Sequence, residues 1–152
     1  MKRWVGLLAG FAVAMLIAPS RDMDIASLQP VELLYIYMEN GKVTVETDTG
    51  DLGVGKDLQK AMENLKATSH GEIFLETAQY LLLGENAEDC LPQLKQILRP
   101  AVQVLQMEGA PDVEGLVKFL SVHKSPLALK DWREGTELPK LTIKEGRYYL
   151  VQ

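Results

Sequence analysis

The chain has 152 residues, of which 47% are hydrophobic and 24% charged, enough apolar material for the core of one globular domain. Its formal net charge of -5, with no basic cluster interleaved with aromatic residues, argues against nucleic acid as a partner. Cys90 is the only cysteine, which excludes an intramolecular disulfide and a zinc site built from several thiolates.

The N-terminus has the pattern of an export signal. Residues 1–3 form a short cationic start, and residues 4–18 are uncharged and apolar. Because this run is shorter than the roughly 20 residues of a typical bilayer-spanning helix, residues 1–20 are predicted to be either a cleaved signal peptide or a membrane anchor through residues 4–18. The positive flank places the domain outside in both cases, so it is expected to be exported, and either anchored facing outward or secreted. Residues 21–30 are predicted to be a tether, and residues 31–152 a single α/β domain.

The domain is predicted to begin with a β-hairpin. In residues 31–38, the side chains that would point to each of the two faces of a strand are apolar, as a central buried strand requires. Asn40 and Gly41 are typical of a tight turn, because both adopt positive φ at little cost. Residues 42–49 then alternate in the manner of a half-exposed strand.

A helix is predicted over residues 56–67, with the glycine-rich stretch at residues 53–55 as the loop that leads into it. Its apolar positions recur at the spacing of one helical face: Leu58, Ala61, Met62 and Leu65. This spacing predicts that the helix packs on the sheet along one side only.

The segment that leads into this helix nearly matches the phosphate-binding motif G-x-x-x-x-G-K-[ST]. Gly50, Gly55 and Lys56 fit the motif, but Asp57 stands where serine or threonine would hold magnesium. The carboxylates of Asp57 and Asp51 would also repel phosphate groups. The pattern therefore favours a turn and a helix start over nucleotide binding, and no cofactor is expected.

The middle of the chain is predicted to alternate strands and helices. The apolar segment at residues 73–83 is predicted to end in a strand at residues 79–83. Pro92 suits the first turn of the next helix, which Pro100 should end. Residues 101–107 then supply another strand.

Two more helices are predicted after this strand. Asp112 is a suitable N-cap for a helix whose apolar residues step by three and four as far as Leu120. Ser125 and Pro126 have the types expected at an N-cap and a first helical position, which predicts a short helix to about Trp132.

The C-terminal residues predict a second hairpin. In the expected pairing, Leu141 and Ile143 face Tyr149 and Val151 across a loop at residues 144–146. Together the elements predict an α/β (α+β) fold, a mixed β-sheet with helices packed on it, preceded by an N-terminal hydrophobic helix.

No residue set with the spacing of a catalytic or metal centre is found. His70 and His123 lie in separate segments, and His123 is predicted to be a favourable charge near a helix C-terminus. Cys90 follows acidic residues that would raise its pKa, so a buried structural thiol is predicted. No serine stands in a G-x-S-x-G elbow, and carboxylate pairs such as Glu72 and Glu76 are common by chance among 21 acidic residues. No catalytic, cofactor or metal residue is therefore predicted, and the chain is not expected to be an enzyme.

Several short motifs resemble one known family. They are Gly55-Lys56-Asp57-Leu58, Ala61 with Leu65, Ile73-Phe74-Leu75, and Leu81-Leu82-Leu83-Gly84-Glu85. Over roughly half of the chain, their order resembles the N-terminal domain of the Ger(x)C spore-germination lipoproteins of spore-forming bacteria. The family's lipid-modified cysteine is missing from this leader, and its histidine falls at Thr77 here. The resemblance implies a membrane-associated, extracytoplasmic, non-catalytic subunit and assigns no functional residue.

The expected function is that of a non-catalytic, membrane-tethered or secreted accessory domain. It would bind a protein partner of the envelope or membrane and be linked to sporulation or spore germination. The alternative is an exported domain that binds a small molecule or an envelope polymer, which predicts a concave site with exposed aromatic residues such as Tyr80, Trp132 or Tyr148. A degenerate hydrolase, dependent on Glu76 or His123, is a third interpretation.

Overall fold

The computed structural model of this chain describes residues 27–151. The predicted signal peptide or anchor at residues 1–20 and most of the tether lie outside the described residues. The last residues of the predicted tether instead form strand β1 at Leu28–Pro30, which pairs in parallel with β5 at Glu72–Phe74. Among the described residues, no helix has the length and apolar character needed to cross a membrane.

Seven further strands form one mixed sheet in the order β4-β3-β2-β6-β7-β8-β9. Their bounds are β2 Leu33–Glu39, β3 Lys42–Thr47, β4 Leu52–Gly55, β6 Tyr80–Leu83, β7 Gln103–Glu108, β8 Lys140–Lys144 and β9 Arg147–Val151. Strands β2, β6, β7 and β8 run parallel, while hairpins add β3 and β4 at one edge and β9 at the other. The predicted mixed sheet with helices packed on it, an α+β fold, is confirmed.

The described helices cover both faces of this sheet. They are α1 at Leu58–Thr68, α2 at Leu91–Ile97 and α3 at Val113–Val122. Helices α1 and α2 pack with one core layer, against alternate residues of the central strands: Leu34, Ile36, Leu81, Leu83 and Val104. Helix α3 packs with the other layer, against the intervening residues: Leu33, Tyr35, Leu82, Leu105 and Leu141. We call these sides the α1/α2 face and the α3 face.

The starts of α2 and α3 have the residues predicted for them, whereas the N-cap of α1 was not predicted. Asp57 caps α1 by accepting a hydrogen bond from the Lys60 backbone N–H at 2.8 Å. Asp112 caps α3 in the same way through Gly115. Pro92 lies in the first turn of α2, where its missing N–H costs no hydrogen bond. The predicted helices at residues 56–67, after Pro92 and after Asp112 are therefore confirmed within two residues at their starts.

The glycine-rich stretch is an edge strand and not the predicted entry loop. Gly53 and Gly55 lie in β4 and point toward α1. A Cβ added to Gly53 would lie 2.6 Å from the Cβ of Leu65, and it would also collide with the carbonyl oxygen of Ala61. Helix α1 therefore rests directly on glycine backbone, and the prediction of a loop at residues 53–55 was wrong.

The C-terminal hairpin forms in a different register from the predicted one. Its turn consists of Glu145 and Gly146 alone, with φ values of 51° and 73° that suit a type I′ turn. Lys144 therefore belongs to the strand and pairs with Arg147. The observed facing pairs are Leu141 with Leu150 and Ile143 with Tyr148, so the predicted pairs were wrong. A loop shorter by one residue moves every pair by one position.

The predicted helix between Ser125 and Trp132 does not form. Instead, this segment runs beside the start of β7, where β8 does not reach. The Ser125 hydroxyl donates to the Val104 carbonyl oxygen at 2.9 Å, and the Leu129 N–H donates to the Val102 carbonyl oxygen at 2.7 Å. Because the Ser125 hydroxyl and the Leu129 N–H are hydrogen-bonded to carbonyl oxygens in and before β7, they do not take part in a helix. These tertiary contacts outweigh the local preference of Ser125 and Pro126 for a helix start.

Candidate functional site

The carboxyl ends of the parallel strands meet at one edge of the sheet. In open sheets of this kind, ligands bind beyond the carboxyl ends of the strands, at the topological switch point. This is the place where the chain leaves two neighbouring parallel strands in opposite directions. Strand β2 continues into β3 on one side, whereas β6 leads to β7 on the other. The switch point therefore lies between β2 and β6, next to Glu85.

A groove starts near this point and crosses the α1/α2 face toward β9. It consists of three adjoining depressions of about 390, 550 and 410 Å³ that share lining residues. Its floor contains Gln106, Lys140 and Val151, which are neighbours across β7, β8 and β9. We call it the transverse groove.

One end of the transverse groove is strongly acidic. Its exposed carboxylates are those of Glu85, Glu88, Asp89, Glu134 and Glu137. Among the described residues that line the groove, Lys140 is the one basic side chain, and its Nζ lies 3.4 Å from the carboxylate of Glu108. This end therefore presents an unbalanced negative potential that attracts cationic groups.

The other end of the transverse groove is mainly apolar. Its apolar lining residues are Pro126, Leu127, Leu138, Pro139 and Val151. Val151 is 50% exposed, although it points onto the face that elsewhere carries helices. The groove thus changes from charged to apolar along its length, so it offers both the polar and the apolar contacts that protein interfaces combine.

The loop at residues 130–136 forms one wall of the transverse groove and is held against helix α2. The Lys95 ammonium donates to the Trp132 carbonyl oxygen at 3.0 Å and lies 5.6 Å from the centre of the Trp132 ring. The Arg133 guanidinium donates to the carbonyl oxygens of Lys130 at 2.7 Å and Trp132 at 2.9 Å. The loop closes on itself through the Arg133 N–H and the Thr136 hydroxyl, 3.0 Å apart. These bonds fix the shape of the wall.

A smaller crevice of about 230 Å³ lies at the switch point on the α3 face. The rings of Tyr35 and Tyr37 stack there with centroids 4.7 Å apart, and the Tyr35 hydroxyl donates to the Gly109 carbonyl oxygen at 3.4 Å. Burial, followed by the nearby charges of Tyr37, Glu46 and Glu85, raises the pKa of Tyr35 to about 12. Tyr35 therefore remains a neutral hydrogen-bond donor throughout the physiological range.

The residues considered for catalysis are scattered. Burial, and secondly the charge of Asp89, raises the pKa of the Cys90 thiol, and its predicted burial is confirmed. His123 is the C-cap of α3 as predicted, and its ring stacks on Phe119 with centroids 4.4 Å apart. Glu72 in β5 and Glu76 in the following turn are both exposed. In the part of the chain that the structure describes, no group of three His, Cys, Asp or Glu residues could hold a metal ion.

The three aromatic residues named for a ligand site do not share one. Tyr80 is only 3% exposed and belongs to the core of the α3 face, so its predicted exposure was wrong. Trp132 packs on the other face. The Tyr148 hydroxyl accepts from the Asp112 N–H at 3.0 Å, and its ring packs beside Phe119. Only Trp132 of the three lines the transverse groove.

Comparisons of this chain with protein-family models, curated proteins and solved structures found no match. The resemblance to the Ger(x)C lipoproteins therefore stays a prediction from short motifs. The class of the protein is defined by its fold, a mixed seven-stranded sheet between helices in an α+β domain. Sequence reasoning missed the transverse groove, because its residues come from four separate segments of the chain.

Proposed function

We propose that this chain is a non-catalytic, exported accessory domain that binds an extended basic segment of a protein partner in the transverse groove. The supporting observation is the groove itself, which joins five exposed carboxylates to an apolar cleft. Lysine or arginine side chains of the partner would complement the acidic end, and apolar side chains would pack near Val151. Charge would guide the encounter, and apolar contact would supply most of the affinity.

The dimensions of the groove suit a segment of a few residues. Neighbouring strands lie about 4.8 Å apart, and an extended chain rises about 3.3 Å per residue. Crossing β7, β8 and β9 therefore takes about three residues, and reaching Glu85 and Glu88 takes a few more. A short linear segment on a larger envelope protein meets this requirement.

The proposed location and process have separate support. The cationic and apolar leader favours export, either as a secreted domain or as one anchored through residues 4–18. The motif resemblance to Ger(x)C lipoproteins favours a role in sporulation or spore germination, with an envelope or membrane protein as the partner. Neither depends on the geometry of the groove.

A second candidate function is binding of an envelope polymer or a small molecule. Trp132 supports it, because a half-buried indole in a groove offers a flat apolar surface to a ligand ring. The crevice beside Tyr35 and Tyr37 would accept only a small ligand. Thermal shifts induced by envelope polysaccharide fragments, with no binding of basic peptides, would favour this candidate.

The proposed function predicts a charge-dependent affinity for a basic peptide. A short fluorescent peptide with lysines followed by leucines should bind, and binding should weaken as salt rises. Reversing two groove charges together, Glu88→Lys with Glu134→Lys, should weaken binding about tenfold, or about 1.4 kcal/mol. Fluorescence anisotropy measures the affinity.

The matched control makes the same charge change outside the groove. The double variant Glu72→Lys with Glu76→Lys alters two exposed carboxylates on and after β5. Its affinity should stay within about twofold of the unmodified chain, because distant exposed charges are screened. An equal loss in both double variants would show that net charge alone drives binding and would contradict a groove-specific site.

A further inference from the structure

The two edge strands of the seven-stranded sheet, β4 and β9, differ in their surroundings. The β4 edge is covered by helix α1. The Val54 N–H, which points away from β3, donates to the side-chain oxygen of Asn64 at 2.9 Å. The Thr68 hydroxyl donates to the Leu52 carbonyl oxygen at 3.1 Å. Side chains of α1 thus occupy two of the backbone groups with which another strand would pair, which hinders strand addition at this edge.

The β9 edge is open. The two-residue turn makes Lys144 and Arg147 a hydrogen-bonded pair, and bonded and non-bonded pairs alternate along an antiparallel ladder. Tyr148 and Leu150 therefore form non-bonded pairs with β8, so their N–H and C=O groups point away from it. Within residues 27–151, these outward groups have no backbone partner.

Strand β9 also has the side-chain pattern of an interior strand. Tyr148 and Leu150 pack against the core of the α3 face. Tyr149 and Val151 point to the opposite face and are 44% and 50% exposed. Arg147 is its one charged residue, at the end nearest the turn. An edge strand exposed to water is normally protected by charges, proline or a bulge along its length, whereas β9 has a single charge at one end and no proline.

We infer that the missing neighbour of β9 is the β9 strand of a second copy of this chain, paired antiparallel about Tyr149. In this pairing, Tyr148 lies opposite Leu150 of the second copy, and the outward backbone groups of both residues find partners. Tyr149 faces its own counterpart in a non-bonded pair. Arg147 faces Val151 of the second copy, so no like charges oppose each other.

The side-chain rows favour a second copy over an unrelated strand. On the α3 face, the apolar row Met107, Leu141, Leu150 continues into Tyr148 and Ile143 of the second copy. The contact is isologous, with the same strand on both sides. A β9–β9 contact uses the same edge of both copies, so pairing through this edge stops at two copies. The inference concerns a different surface from the acidic end of the transverse groove and stands without a peptide ligand.

Disulfide trapping tests this pairing on the full chain in a mild detergent. Facing residues of a non-bonded antiparallel pair have Cα atoms about 4.5 Å apart, within the range of a disulfide. The Tyr149→Cys variant should therefore cross-link to itself on mild oxidation in most molecules, while the unmodified chain stays uncross-linked because Cys90 is buried.

The proposed antiparallel register of the two β9 strands defines the control variants for this experiment. Arg147→Cys alone should cross-link little, because the two copies of this position lie roughly 14 Å apart along the strands. A mixture of Arg147→Cys and Val151→Cys chains should cross-link with each other. Self-linking of Arg147→Cys as efficient as that of Tyr149→Cys would indicate random collision and overturn the inference.

Sedimentation equilibrium gives an answer that does not depend on the cysteine variants. The unmodified chain should have twice the monomer mass after correction for detergent, and Tyr149→Asp should have the monomer mass with an unchanged circular dichroism spectrum. A monomeric unmodified chain at the highest concentration studied would overturn the inference. Basic-peptide binding by the Tyr149→Asp monomer, measured separately, distinguishes failure of dimerisation from failure of the proposed function.

Discussion

Replacing Gly53 with alanine should lower the free energy of unfolding by about 3 kcal/mol. The added methyl group would lie 2.6 Å from the Cβ of Leu65 and 2.7 Å from its backbone nitrogen, and it would meet the carbonyl oxygen of Ala61. Backbone atoms cannot rotate away as a side chain can, so α1 must shift off the strand. Chemical denaturation followed by circular dichroism measures the loss.

The control for Gly53→Ala is an alanine at the next position of the same strand. Val54 points to the opposite side of β4 and is 38% exposed. Val54→Ala should therefore cost well under 1 kcal/mol, the size expected for an exposed strand residue. A loss for Gly53→Ala no larger than for Val54→Ala would contradict the close packing of α1 on β4.

Replacing Asp51 with alanine should lower the free energy of unfolding by about 2 kcal/mol or more. This carboxylate is buried, and its Oδ2 accepts from the Gln29 side-chain amide at 2.6 Å and from the Thr49 hydroxyl at 2.8 Å. Removing it leaves two donors without their acceptor and releases β1 from the β3–β4 turn. Amide hydrogen exchange of Leu28, Gln29 and the neighbouring β5 should become faster.

Two comparisons make the Asp51 prediction specific. Asp131 is exposed, so Asp131→Ala should change stability by less than about 0.5 kcal/mol. In a double-mutant cycle, Gln29→Ala should cost much less in the Asp51→Ala background than in the unmodified chain. Additive losses in the cycle would show that the Gln29 to Asp51 hydrogen bond does not hold β1.

The central strands could be predicted because their side chains meet core on both faces. The apolar runs at residues 31–38 and 79–83 have no polar position in the part that crosses the sheet, and this pattern suits a strand between two helix layers. Asn40 with Gly41, Pro92 and the N-cap Asp112 added local signals that tertiary contacts did not oppose. In these segments, local preference and global packing agree.

Strand β4 was not predicted because its apolar side chains lie on the exposed side and its glycines on the buried side. Gly53 and Gly55 face the helix, where no side chain fits, while Leu52 and Val54 are 46% and 38% exposed. Hydrophobic periodicity assigns the apolar side to the core, so it cannot recognise a strand whose buried side is glycine. From the sequence, Gly53 was therefore assigned to a flexible loop.

The candidate site was beyond sequence reasoning for a different reason. Each acidic residue of the transverse groove, such as Glu88 or Glu134, resembles an ordinary solvated charge in its own segment. Their meeting depends on the loop that follows Ser125, which was expected to be helical and instead runs beside β7. Groove residues from separate segments can be combined only after the strand order is known.

Amide chemical-shift mapping with the basic peptide tests the proposed binding site most directly. In a labelled chain, the peptide should cause its largest shifts along the transverse groove, at Glu88, Gln106, Glu134 and Leu138, and a peptide with glutamates in place of the lysines should cause none. Shifts confined to the crevice beside Tyr35 and Tyr37, or spread evenly over the surface, would contradict a protein-binding groove on the α1/α2 face.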